Sequence, residues 1–287
     1  MHALRQSGYT VTAACSALGL SRSSFYGASH PSRDRKKPAI GSVKADRDRK
    51  LLERIKQIRR DHPFWGYRRI TAWLRRRCDV QVNRKRVYRI MRVHNLTVKQ
   101  KQYQAKRTPQ RSKPKPTRMN QWWGIDMTKF SVDKLGWIYM VVVLDWYTRK
   151  IVGYHIGLQS KTAEWLTALD MAVKEQCPDG AREHRLHLMS DNGSQPTSVS
   201  FINACATLNI DQAFTSYNNP KGNANTERVI RTIKEDCIWI NEWGSLEEAK
   251  RTIEQWIHDY NYLYPHSALN YLSPVEFELK NTNLNAA

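Results

Sequence analysis

Ser190-Asp191-Asn192-Gly193-Ser194-Gln195, followed by Gly222-Asn223-Ala224-Asn225-Thr226-Glu227-Arg228-Val229-Ile230-Arg231-Thr232-Ile233-Lys234, is the stretch whose reading decides the fold. The first piece ends a short apolar run, so Asp191 stands where a strand gives way to a turn. The second opens an amphipathic helix with Glu227 in its first turn, and thirty-five residues separate the two acids. Upstream, Trp122-Trp123-Gly124-Ile125-Asp126-Met127-Thr128 places a third isolated acid inside an otherwise uncharged strand-like run. Three carboxylates gathered from two strands and a helix make an all-oxygen donor set. Mg2+ prefers such a set, and it keeps waters or phosphate oxygens in its other positions. That is the chemistry of cutting and joining phosphodiester bonds.

Each acid also has an ordinary reading. Asp126 is a solvent-facing residue of an edge strand, Asp191-Asn192-Gly193 a turn whose Asn-Gly pair tolerates positive φ, and Glu227 an acid at the positive end of a helix. The spacing of the three together is what singles them out.

The composition changes abruptly at Gln121. Trp122 to Phe130, Trp137 to Asp145 and Lys150 to Ile156 read as three strands joined by short turns, an antiparallel meander. A helix from about Lys161 to Glu175 follows, then a strand from Leu186 to Met189, a helix from about Thr197 to Leu208, a short strand around Ile210 to Ala213, and the helix bearing Glu227. This order predicts an α/β fold that resembles a ribonuclease-H-like mixed-sheet core, with acids at strand ends and on a helix facing the sheet. Beyond it, Leu246 to Leu263 carries Ile253, Trp256, Ile257 and Tyr260 at helical spacing, and Ser273-Pro274 supplies a cap and first-turn proline for a last helix.

The formal charge of +21 is confined to the first part of the chain: residues 1–120 hold 32 Lys and Arg against 6 Asp and Glu, whereas residues 121–287 hold 15 against 20. A basic half of that density attracts a polyanion, since each neutralised phosphate releases condensed counterions. DNA is the expected partner. A surface charged for solubility intersperses both signs. No apolar run approaches a membrane span, no signal-peptide core opens the chain, and the five widely spaced cysteines include no CxxC pair. Reduced thiols and a cytoplasmic location are expected, with association to the nucleoid when DNA is bound.

Within the basic half, Tyr9 to Gly27 fits a helix-turn-helix, with a break at Gly19 and Ser21 as cap of the second helix. Residues 28–46 read as a linker. Three helices follow, from Arg47 to Arg60, Tyr67 to Arg77 and about Arg84 to His94, the last with Asn83 as its N-cap. Their polar faces carry Arg68, Arg69, Arg75, Arg76, Arg77, Arg84, Lys85, Arg86, Arg89 and Arg92. We read a three-helix DNA-binding module with Arg84, Lys85, Arg86 and Arg89 as contact residues; a bundle that grips phosphates without reading bases has the same composition. Residues 96–120 form a proline-containing basic tether. The expected organisation is therefore 1–46 helix-turn-helix-like segment and linker, 47–95 basic module, 96–120 linker, 121–240 catalytic core and 241–287 C-terminal helical extension.

These residues resemble the DDE transposases of bacterial insertion sequences, relatives of the retroviral integrases, over essentially all of residues 45–280. The likeness rests on Trp-x-x-Asp-x-Thr around Asp126, on Ser190-Asp191-Asn192-Gly193-Ser194, on Glu227 thirty-five residues further, and on Tyr260-Asn261, Pro265-His266, Leu269 and Pro274. The subgroup most similar encodes its transposase in two reading frames, and this chain looks like the second-frame product. The resemblance implies that Asp126, Asp191 and Glu227 are catalytic and bind two Mg2+ ions, Mn2+ substituting, about 4 Å apart. It also implies that Lys234, seven residues after Glu227, contacts DNA near the reacting end. Arg231, one turn after Glu227, either pairs with Glu227 or binds phosphate. Asp145 is an acid without a catalytic role in the family. The His184 and His187 pair lacks cysteines at zinc-site spacing, so no zinc is expected.

The implied activity is metal-dependent 3'-end cleavage and strand transfer by a homo-multimer holding insertion-sequence ends and target DNA, together with the upstream-frame product. The competing reading is a catalytically silent DNA-binding repressor derived from a transposase; a simple nuclease is a third.

Overall fold

The computed structural model describes residues 8, 10–19, 40–98, 114–215 and 222–285. It divides into two compact units, Met1–Glu53 and Arg54–Ala287. The first contains α1 (Val11–Ala17), which Thr10 caps by accepting from the Ala13 amide at 3.3 Å, and Gly19 follows at a positive φ of 61°. The expected second helix with Ser21 as its cap lies outside the described residues, as does most of the basic tether. Helix α2 runs from Ile40 to Asp61, so residues 40–46, read from sequence as linker, are helical. The prolines that marked a linker end at Pro38, and the Asp46–Arg49 pair one turn apart, 3.2 Å, supports the helix that follows.

The second unit is built on a five-stranded sheet: β1 (Trp122–Val132), β2 (Gly136–Asp145), β3 (Ile151–Gly157), β4 (His187–Ser190) and β5 (Asp211–Phe214). Its strand order is β3-β2-β1-β4-β5. The β1–β2 and β2–β3 pairs are antiparallel, and β4 and β5 add in parallel to β1, so only β2 opposes the others. This is the ribonuclease-H-like mixed sheet expected from the element order.

The two faces of β1 serve different purposes. Trp123 and Ile125 point into the main core with Val141, Val143, Trp165 and Phe201, under α5 (Thr162–Gln176) and α6 (Val199–Thr207). Gly124, Asp126, Thr128 and Phe130 alternate onto the other face, which α7 (Ala224–Asp236) covers. Helix α7 presents Val229, Ile230 and Ile233 inward at helical spacing.

The C-terminal helices close the edge of the sheet. In α8 (Leu246–Leu263), the Asn261 side chain accepts from the Ile151 amide at 3.0 Å and donates to the Ile151 carbonyl at 2.9 Å. It thereby pairs the first residue of the exposed edge strand β3 as a neighbouring strand would. The Tyr260 hydroxyl donates to the Arg149 carbonyl at 3.1 Å and stands 3.0 Å from His266 Nε2, while Lys150 pairs with Glu278 at 3.0 Å. The Tyr-Asn pair and His266 of the C-terminal signature are thus edge-strand locks. Helix α9 (Pro274–Asn285) starts as its Ser-Pro predicts: Ser273 N–H donates to Glu276 Oε2 at 2.9 Å, and Ser273 Oγ accepts from the Glu276 amide at 3.3 Å.

Helices α3 (Tyr67–Arg76) and α4 (Arg84–Val93) belong to the same unit as the sheet, and the expected Asn83 cap accepts from the Lys85 amide at 2.8 Å. Several cations read as surface charge are structural. Arg75 donates twice to the Val82 carbonyl, at 2.9 and 2.7 Å, closing the turn between α3 and α4. Arg77 donates to the Tyr262 carbonyl and to Glu276, both at 2.9 Å, and Arg69 lies over the Tyr264 ring at 4.8 Å. All five cysteines are free, and among the described residues no helix is long and apolar enough to cross a membrane.

Candidate active site

Parallel pairing of β1 with β4 aligns Trp122 with His187, Trp123 with Leu188 and Gly124 with Met189. Two residues further along each strand stand Asp126 and Asp191. The sheet therefore delivers the two aspartates side by side, at the point where β4 ends and its chain turns away. The Asp191 turn is made by its own carboxylate, which accepts from the Gly193 amide at 3.1 Å. Neither Asn192 nor Gly193 takes the positive φ that an Asn-Gly turn allows.

Glu227 arrives from α7, and three buried side chains fix the start of that helix on β1. Asn223 Nδ2 donates to the Ile125 carbonyl at 3.1 Å, and Trp146 Nε1 donates to Thr226 Oγ1 at 3.1 Å. The approach is close enough that a Cβ built at Gly124 lies 2.1 Å from Thr226 Oγ1 and 2.4 Å from Trp146 Nε1. Glycine inside a strand marks such an approach, and this one brings the residue after Thr226, Glu227, near enough for its charge to act on Asp126. The sequence reading named none of Gly124, Trp146, Asn223 and Thr226 for this role. A strand-interior glycine two residues before an acid was the available signal.

The electrostatics register the gathering. The Asp126 acid is pushed up to about 6, first by burial and further by the charges of Asp191 and Glu227, while its hydrogen bond from the Met127 amide (2.8 Å) and the charge of Lys234 act the other way. Among the described residues, no three acidic, histidine or cysteine side chains already stand at ion-holding distance. Asp126 and Asp191 each accept a hydrogen bond from a neighbouring amide. The donor set still fits a hard divalent cation: three carboxylates on adjacent elements, with a mutual repulsion that a cation relieves.

Lys234 is half-buried two turns along α7, within electrostatic reach of Asp126. Arg231, one turn after Glu227 on α7, pairs with Glu235 at 2.7 Å. Arg84, Lys85 and Arg89 are exposed on α4 and Arg86 is half-buried beside them; none of the four is among the groups acting on Asp126. Asp145 is 1% exposed and serves the fold. Its carboxylate accepts from the amides of Asn120 (2.7 Å), Tyr147 (2.8 Å) and Thr148 (2.7 Å), and from the Thr148 hydroxyl at 3.0 Å. Asp145→Asn places an amide against one of these donors and is expected to cost about 1–3 kcal/mol in urea unfolding. An unchanged urea midpoint would contradict this structural role.

Residues 116–220 match the integrase core domain family, residues 208–274 match a second integrase core domain family, and residues 46–104 match an HTH-like domain. Transposase InsD of insertion element IS2A/D/F/H/I/K from Escherichia coli is 30% identical over 241 residues, covering 80% of this chain and 78% of its own. The chain belongs to the insertion-element transposases. InsD of insertion element IS2-9 from Escherichia coli strain K12 matches this transposase equally, with 77% of its length covered. Among solved structures, the transposase is similar to a chain of the simian T-cell lymphotropic virus intasome at 17% identity and a TM-score of 0.49, covering 75% of this chain and 70% of that one. The HTLV-2 integrase catalytic core, solved in complex with magnesium, is similar at 17% identity and a TM-score of 0.42, covering 57% of this chain and 99% of that one.

Proposed function

We propose that this transposase cuts the 3' ends of its insertion sequence and joins them to target DNA, using Asp126, Asp191 and Glu227 as the metal-binding catalytic triad. The observation that carries this reading is the β1–β4 register together with the seating of α7 on β1, which bring the charges of Asp191, Glu227 and Lys234 to bear on the half-buried Asp126. Bound divalent ions, Mg2+ with Mn2+ as substitute, supply Lewis acidity toward the attacking and leaving oxygens. The protein's part is placement. Asp126 and Asp191 present oxygens from adjacent parallel strands, and the Trp146–Thr226 and Asn223–Ile125 bonds hold Glu227 opposite them. Lys234, on the same helix, meets the phosphate of the bound strand, and Arg231 can exchange Glu235 for a phosphate at the same surface. The attacking group is water for cleavage and the freed 3'-hydroxyl for joining, so no protein side chain bonds to DNA.

Residues 47–95 serve DNA binding, with Arg84, Lys85, Arg86 and Arg89 on the basic surface of α4, and residues 121–240 serve catalysis. Because two element ends are joined in one event, the working form is a homo-multimer, assisted by the upstream-frame product, at DNA in the cytoplasm.

The test is incubation with DNA carrying the element's own ends, in Mg2+, of the chain alone and fused to the upstream-frame product. The expected products are 3' nicks at the ends and strands joined to target. Nicks without joined strands would point to a simple nuclease. Binding with neither product, even in the fusion, would leave the repressor reading.

A further inference from the structure

Helix α7 is held at both ends, by different partners. Its first turn is fixed to β1, as described above, and its last residue is Asp236. The Asp236 carboxylate is 4% exposed and accepts a 2.9 Å hydrogen bond from the indole of Trp65, 171 residues away in sequence. Trp65 lies between α2 and α3, at the root of the basic module, and is itself fully buried. Its ring stacks on His62 at 3.8 Å and 6°, and meets Trp73 edge-on at 5.3 Å and Tyr264 at 5.4 Å. A buried carboxylate facing an indole N–H is held to it, because either group left unpaired costs its desolvation, and the Tyr264 hydroxyl and the Arg69 charge also act on it.

Glu227 and Asp236 are nine residues apart on one helix, a rise of roughly 14 Å. A helix of that length is stiff, so the anchor at Asp236 and the acid at Glu227 move as one body. The module's exposed cations rest on the same anchor: α3 leaves from Trp65-Gly66, and α4 is tied to α3 through Arg75. Arg77 adds a second tie, to Glu276 and the Tyr262 carbonyl.

We propose that Trp65 and Asp236 are positioning residues that mount the DNA-binding module on the catalytic helix, fixing the distance between the DNA gripped by α4 and the bond presented to Glu227. This rests on the assignment of Glu227 to the chemistry. The consequence is specific: loosening the mount leaves DNA affinity in place but blurs where the cut falls. Displacement of a reacting group by about 1 Å costs on the order of 100-fold in rate, so loss of this one hydrogen bond is expected to slow cutting about tenfold and to spread the cuts over neighbouring nucleotides.

Two readouts separate the mount from the chemistry. Spin labels at Val93→Cys on α4 and Val199→Cys on α6, in a Cys78→Ser background, report the distance from module to core without any reaction. Trp65→Phe, which keeps a stacked ring and loses the N–H, and Asp236→Leu, which keeps the volume and loses the acceptor, are expected to broaden a narrow distance distribution. Asp236→Asn, which keeps an oxygen for the indole, is expected to restore it. Cut positions mapped to the nucleotide should follow the same pattern, sharp in wild type and Asp236→Asn and spread in the other two, at DNA affinities within about threefold of wild type.

A narrow distribution in both Trp65→Phe and Asp236→Leu overturns the mount. A broadened distribution with cuts as sharp and fast as wild type overturns the positioning role. Wild type that makes no cut overturns the catalytic assignment instead, and the distance measurement then decides the mount by itself. Should Trp65→Phe fail to fold, the Asp236→Leu and Asp236→Asn pair decides.

Discussion

Glu227→Gln is expected to remove both 3' cleavage and strand transfer, by more than about 100-fold, while DNA binding and thermal stability stay near wild type. The magnitude follows from metal sites, where loss of even an outer partner costs about 10–100-fold, and Glu227 is assigned to the inner set. Stability should hold because glutamine keeps the size of the exposed Glu227 side chain, and Asn223, Thr226 and Asp236 go on seating α7. Asp126→Asn and Asp191→Asn should match it in activity. Gel-resolved products with end DNA in Mg2+, beside a binding isotherm, make the measurement. Cleavage that survives Glu227→Gln would place the active site elsewhere.

Gly124→Ala is expected to do comparable damage without touching a charged group. The added methyl would stand 2.1 Å from Thr226 Oγ1, 2.4 Å from Trp146 Nε1 and 2.6 Å from Asn223 Oδ1. All three neighbours are buried, at 0%, 1% and 3% exposure, so none can swing into solvent. Helix α7 has to lift from β1, which strains or breaks the Trp146–Thr226 and Asn223–Ile125 bonds and carries Glu227 away from Asp126. Overpacking of this kind costs about 1–3 kcal/mol, and at about 2–4 °C per kcal/mol for a domain of this size the melting point should fall by roughly 2–12 °C. Cutting should fall about 100-fold even at temperatures where the variant is folded, because the helix that carries Glu227 is displaced from the strand that carries Asp126. Gly66→Ala is the control: nothing lies within 4 Å of its added carbon and its φ is −80°. Equal behaviour of the two variants would mean that α7 is not seated on β1 as described.

The elements that carry the candidate acids were legible in the sequence. Asp191 at a strand end and Glu227 in a first helical turn are local features, written in the alternation and caps around them, and the structure has both elements where the pattern places them. What the sequence could not carry is pairing. The β1–β4 register that sets Asp191 beside Asp126 joins segments more than sixty residues apart, and no local pattern specifies it. The arginines show the same limit. Arg75 and Arg77 read as surface cations because composition cannot say which carbonyls lie overhead, and in the fold they close a turn and tie α3 to the C-terminal helices. Asp145 looked like one more acid at a strand end, and only its four donors identify it as the hub of the turn between β2 and β3. The linker assigned to residues 28–46 was marked by Pro31 and Pro38, and residues 40–46 of it belong to α2.

The most direct test of the central claim is Mn2+ titration of the transposase bound to its end DNA, with free ion read by electron paramagnetic resonance and strand transfer assayed on the same samples. About two ions should bind per site in wild type. Asp126→Asn, Asp191→Asn and Glu227→Gln should each lose at least one of them together with strand transfer. Full ion binding and strand transfer retained in all three variants would contradict the account.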